Sequence, residues 1–193
     1  MKSVCVFCGS SSGSKAIYRE VAAAMGQAIA KRGMRLIYGA GNIGLMGIVA
    51  DAAIKAGGEV IGVIPQFLVD KEVAHFGLTE MIIVNSMHER KARMADLADA
   101  FVALPGGFGT FEELCEVLTW SQLGLHNKPC GILNVANYYD PLLALFDHAV
   151  TERFLRSEYR SLVVSATDVE DMLKELESYR HESLQKWMDR DKI

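Results

Sequence analysis

Pro105-Gly106-Gly107-Phe108-Gly109-Thr110-Phe111-Glu112-Glu113 stands between two patterns of different period. Before it, the short apolar run 100–104 predicts a buried strand. After it, Leu114, Val117 and Leu118 recur at helical spacing and predict a helix over about 111–123. Three glycines therefore lie where a strand hands over to a helix, and they permit close approach to the backbone. A helix start offers unpaired N–H groups and the positive end of the helix dipole. Together these make an anion site, for which phosphate is the expected ligand. Thr110 and Glu113 have the spacing of a capping box, so Glu113 either caps the helix or faces a ligand.

Outward from that stretch the same alternation repeats. Strands are predicted at 4–7, 34–38, 59–64, 80–84, 130–134 and 162–164, with helices at about 15–32, after Gly44, at 87–98, from Asp140-Pro141, and from Thr167 or Asp168 to about 176. Seven strands alternating with helices imply an α/β, Rossmann-like parallel sheet with helices on both faces. Ligands of such sheets bind beyond the carboxyl ends of the strands. The loops at Gly9-Ser10-Ser11-Ser12-Gly13, at Gly39 and at Pro105 all belong to that edge.

Gly39-Ala40-Gly41-Asn42-Ile43-Gly44 matches the dinucleotide fingerprint, but it follows the second strand, and the next strand ends in Pro65-Gln66 without the acidic ribose ligand. It reads as a tight turn with close helix packing, within reach of a mononucleotide. On the helix at 87–98, Met87, Arg90, Met94 and Leu97 share one stripe, so Arg90 sits among core-facing residues. A buried guanidinium requires an anionic partner or a ligand, unless its head reaches solvent. Lys91 and Arg93 add cations near the glycine-rich helix start. The pattern of residues 66–77 is ambiguous, with a loop over the site as one reading, and the polar tail from about 179, with Leu184 and Trp187, is either a peripheral helix or a frayed end.

The 193 residues suit a single domain, and half of them are hydrophobic. A net charge of -4 provides no basic footprint for nucleic acid. The longest uncharged run, Leu36 to Ala50, is too short and glycine-broken to span a bilayer, and the run Val4 to Phe7 is too short for a signal peptide. No membrane partner is expected, and a cytoplasmic location is. Cys5 and Cys8 form a C-x-x-C, but they fall in and just after a strand, and Cys115 and Cys130 lack paired zinc spacing. Reduced buried thiols are expected, and no metal. His75 and His88 read as ordinary surface or capping residues.

The motif at Pro105–Glu113 resembles the signature of the LOG (lonely guy) family, the cytokinin riboside 5'-monophosphate phosphoribohydrolases once labelled lysine decarboxylases. Cys8 to Gly13, Gly44 to Gly47, Val60 to Pro65, Met87 to Lys91 and Trp120 to Pro129 fit the same family in the same order. Ala40 departs from it, standing where glycine is usual. The resemblance implies a homodimer that hydrolyses the N-glycosidic bond of a nucleoside 5'-monophosphate to free base and ribose 5-phosphate, with no cofactor. It implies Arg90 and Glu113 as the catalytic pair. As substrate-binding residues it implies Glu72, Met87, Lys91, Gly106, Gly107, Phe108, Gly109, Thr110, Phe111, Glu112, Thr119 and Ser10. A non-catalytic nucleotide-binding module, or a decarboxylase with pyridoxal phosphate on a lysine, are the alternatives.

Overall fold

Val4 and Val6 leave one side of the first strand and Cys5 and Phe7 the other, and all four are buried. A strand buried on both faces needs a layer on each side, and that alternation sorts the whole core. The computed structural model describes residues 1–71 and 74–180. In it β1 (Ser3–Phe7), β2 (Arg35–Tyr38), β3 (Val60–Pro65), β4 (Glu80–Val84), β5 (Ala100–Ala103), β6 (Cys130–Leu133) and β7 (Val163–Ala166) form one sheet in the order β4-β3-β2-β1-β5-β6-β7. All neighbouring strands are parallel. The expected α/β Rossmann-like sheet is the observed one.

α1 (Ala16–Lys31), α2 (Gly44–Lys55) and α8 (Val169–Ser178) cover the face that carries Val4 and Val6. α4 (Met87–Leu97) and α5 (Phe108–Gln122) cover the face of Cys5 and Phe7. α6 (Asp140–Thr151) extends that second layer with Leu142, Leu143 and Phe146 around Ile132. Two single-turn helices, α3 (Gln66–Val69) and α7 (Ser157–Arg160), complete the described chain. Residues 66–77 are thus partly helical, and Ala74 forms an antiparallel bridge with Gly41. Glu72 and the tail residues 181–193, with Leu184 and Trp187, lie outside the described residues.

Three local details go beyond what the residue spacing shows. α5 begins at Phe108, three residues before the helical pattern becomes apolar, because Gly107 serves as its N-cap without any side-chain bond. Thr110 and Glu113 therefore lie inside the helix and form no capping box. Ser86 does cap α4, accepting from Glu89 N–H at 3.1 Å, but Glu89 reaches back to Asn85 N–H at 2.8 Å. Ala40 adopts φ +56°, so the loop after β2 does require the left-handed conformation that glycine adopts without strain. The four cysteines are unpaired; Cys5, Cys8 and Cys130 are buried as expected, and Cys115 is only half-buried.

Candidate active site

The strand order reverses at β1: the chain winds outward through β2, β3 and β4, then returns to β1's other side with β5. At such a reversal adjacent loops leave in opposite directions and open a crevice. Here the loops after β1 and β5 touch. Gly9 N–H donates to Pro105 O at 3.1 Å, and a Cβ on Gly106 would meet Thr110 Oγ1 at 2.1 Å and Gly9 N at 2.9 Å. Beside them lies a cavity of about 300 Å³, lined among others by Ser10, Ser11, Ser12, Gly107 and Tyr138. Gly107 and Gly109 differ from Gly106: a Cβ on either would meet no protein atom within 4 Å. They border open space at the N-terminus of α5, where unpaired N–H groups and the dipole favour an anion.

Arg90 sits in the first turn of α4 and is 7% exposed, so its head does not reach solvent. Its Nε donates to Val63 O at 3.1 Å and its Nη2 to Gly39 O at 3.0 Å. Both acceptors are neutral carbonyls at the carboxyl ends of β3 and β2, and among the described residues no carboxylate makes an ion pair with this guanidinium. A Cβ on Gly39 would overlap Nη2 at 1.7 Å, so the glycine after β2 makes room for the arginine. Met87 lies beside it, with its sulfur 3.7 Å from Nη1.

Glu113, half-buried in the second turn of α5, makes no hydrogen bond or ion pair within the described residues. Burial pushes its carboxyl up to about 7; the nearby Arg90 charge opposes that rise, and Glu112 adds to it. Among the described residues, a half-buried unpaired carboxylate and a buried cation with no ion-pair partner thus share the carboxyl edge of the sheet. A carboxyl so perturbed at that edge is a candidate functional group. Lys91 has the opposite environment: its Nζ donates to Glu112 and, at 3.0 Å, to Glu116. Burial pulls its pKa down, but those two hydrogen bonds outweigh it and hold the lysine above its usual range. The cation cluster expected at the glycine-rich start is accordingly reduced: Lys91 is held by two carboxylates of α5, and Arg93 is exposed.

Of the other residues named from the sequence, Ser10 lines the cavity, Thr110 is buried under Gly106, and Phe108 is 92% exposed at the mouth. Phe111 stacks near Tyr138. Thr119 is not brought to the crevice. It is exposed, bonds to Cys115 O at 2.7 Å, and borders a separate cavity of about 270 Å³ with Leu118, Phe146 and Phe154. Tyr138, which sequence reasoning passed over, is in the crevice wall. Its signal was available: a polar aromatic pair directly after a strand, at the edge where ligands bind.

A parallel sheet wound both ways from its first strand, with open glycines at the reversal, makes this a Rossmann-like α/β protein with a nucleotide-sized crevice. The family model described as "Possible lysine decarboxylase" matches residues 46–176. A cytokinin riboside 5'-monophosphate phosphoribohydrolase of Rhodococcoides fascians is 52% identical over 92% of this chain and 90% of its own. A probable enzyme of the same name from Oryza sativa subsp. japonica is 53% identical over 91% of this chain and 78% of its own. The chain belongs to this LOG family. The molybdenum cofactor binding protein of Rippkaea orientalis shares the fold, with a TM-score of 0.70 at 22% identity over 92% of this chain and 97% of its own. The decarboxylase label does not suit Lys91: a Schiff-base lysine reacts as the neutral amine, and two glutamates hold this one as ammonium.

Proposed function

We propose that this protein hydrolyses the C1'–N bond of a nucleoside 5'-monophosphate such as AMP or its prenylated form, releasing the base and ribose 5-phosphate. The reaction class, hydrolysis of an N-glycosyl bond, follows from membership of the phosphoribohydrolase family. The observation that carries the site is the carboxyl of Glu113, unpaired among the described residues and one turn along α5 from the open glycine Gly109. The 5'-phosphate binds at the α5 N-terminus, which places the ribose toward Glu113. As the C1'–N bond breaks, its electron pair leaves with the base, which takes up a proton, and positive charge grows on the ribose. Ionised Glu113 stabilises that charge and accepts a proton from the water whose oxygen bonds to C1'. Arg90, fixed by Gly39 O and Val63 O, orients Glu113 or the substrate.

The active form is a two-fold homodimer. Leu123, Leu125, Leu145 and Phe154 are exposed on the described chain, and apolar surface of this kind suits a partner. Thr119, remote from its own crevice, then serves at the interface. A sedimentation mass of one chain at micromolar concentration would count against this.

The deciding experiment incubates the protein with nucleoside monophosphates and the matching nucleosides and separates the products. Free base and ribose 5-phosphate should appear from the monophosphates, with the nucleosides cleaved about a hundredfold less efficiently, the scale of losing charged hydrogen bonds to the phosphate. Equal cleavage of adenosine and AMP would overturn the phosphate site.

A further inference from the structure

Two adjacent tyrosines grip the crevice loop. Tyr139 Oη donates to Leu104 O at 2.7 Å, and Tyr138 Oη donates to Gly106 O. The chain reaches this position through a strained turn. Ala136 and Asn137 stand at φ +50° and +62°, a conformation unfavourable for residues with a Cβ. Asn134 secures the turn by accepting from Tyr139 N–H at 2.8 Å and donating to Asp140 at 2.6 Å. The Tyr138 ring is bracketed between helices: edge-on to Tyr18 of α1 with centroids 5.9 Å apart, and stacked near Phe111 of α5 at 6.5 Å.

The peptide that Tyr138 holds joins Gly106 to Gly107. With glycine on both sides it can turn over, because no Cβ resists rotation. In a trans peptide the carbonyl and the N–H point in opposite directions, so fixing the Gly106 carbonyl also fixes the Gly107 N–H. Turned over, the peptide would present the negative end of its dipole where the N-terminus of α5 otherwise attracts an anion.

We infer that Tyr138 is a positioning residue of the phosphate cradle: its hydroxyl holds the Gly106–Gly107 peptide in the orientation that admits a 5'-phosphate. This rests on the crevice being the nucleoside 5'-monophosphate site proposed above. The test is Tyr138→Phe, which keeps the ring between Tyr18 and Phe111 and removes only the donor. Its matched control is Tyr139→Phe, which removes the same kind of bond at Leu104, on the strand side of Pro105.

The KM for AMP should rise about tenfold in Tyr138→Phe, the scale of one hydrogen bond, with kcat changed less than about threefold. The dissociation constant for ribose 5-phosphate, read by calorimetry, should rise by a similar factor. Tyr139→Phe should lower the melting temperature and leave KM unchanged. An unchanged KM in folded Tyr138→Phe, or an equal rise in both variants, overturns the inference and leaves the hydrolase reading standing. A wild-type protein that releases no base overturns both.

Discussion

Two glycine-rich loops leave the carboxyl edge of this sheet, and they use glycine for opposite reasons. In the loop after β2 and the first turn of α2, glycines are filled against. A Cβ on Gly39 would overlap Arg90, one on Gly44 would lie 2.2 Å from the Ser10 carbonyl carbon, and one on Gly47 would lie 2.3 Å from Asn42 O. In the loop after β5, Gly107 and Gly109 meet nothing. The first loop matches a nucleotide fingerprint yet spends its small residues on internal packing. The second keeps its backbone clear at a helix N-terminus. What marks the second as the candidate ligand loop is glycine facing open space at a helix N-terminus. The loops cooperate through their charges: the packed loop receives Arg90, and the helix after the open loop carries Glu113.

Glu113→Gln removes the carboxylate that stands one turn along α5 from the open Gly109, and it is the largest expected effect. Turnover of AMP should fall about a hundredfold or more, the scale of losing a group that stabilises the transition state. Stability should move the other way. The folded-state pKa, raised to about 7 by burial, exceeds the unfolded value. The folded protein therefore binds the proton more tightly, and stability declines as pH rises from about 4.5 to 7. Relative to wild type, the glutamine variant should gain on the order of 1 kcal/mol at pH 8 and no such gain at pH 4. Parallel melts and rates at the two pH values check this; a well-folded variant with near-normal turnover would end the proposed role.

The pH profile of the wild type sharpens the same point. If Glu113 works as the carboxylate, kcat/KM should climb through an inflection near 7 and level off above it. A fall above pH 7 would instead make it the proton donor to the leaving base.

The loop comparison itself is broken or kept by a pair of alanines. Gly44→Ala imposes φ +63° on a residue with a Cβ and drives that Cβ into the Ser10 backbone. It should lower stability by about 3 kcal/mol. Gly107→Ala should change stability by less than about 1 kcal/mol, since nothing is struck, while KM for AMP rises about tenfold or more. Equal destabilisation in both, read from denaturant midpoints, would mean the two loops do not differ.

The smallest effect is expected at Ala40→Gly. Relief of φ +56° is offset by the lost methyl contact and the freer unfolded chain. Stability should shift by less than about 1 kcal/mol in either direction. A larger loss would show that the Ala40 methyl, packed over Gly62, holds the loop.

The sequence by itself determined the order of strands and helices, because burial on both faces of a parallel sheet forces apolar runs such as Val4 to Phe7 and Ala100 to Ala103, and the connecting helices carry their own period. It also determined the catalytic candidates, since Arg90 breaks an apolar helical stripe and the Pro105–Glu113 motif is long enough to identify a family. It left Thr110-x-x-Glu113 open between a capping box and a ligand-facing carboxylate, because helix propensity does not reveal that Gly107 starts the helix early. Only the tertiary structure decided that Lys91 belongs to Glu112 and Glu116 while Arg90 has no ion-pair partner among the described residues, that one glycine loop is packed and the other open, and that Tyr138 reaches Gly106. These depend on groups from separate strands and helices meeting at one edge. Spacing along a chain reports neighbours within an element, whereas charge pairing and free space are properties of what folding brings alongside.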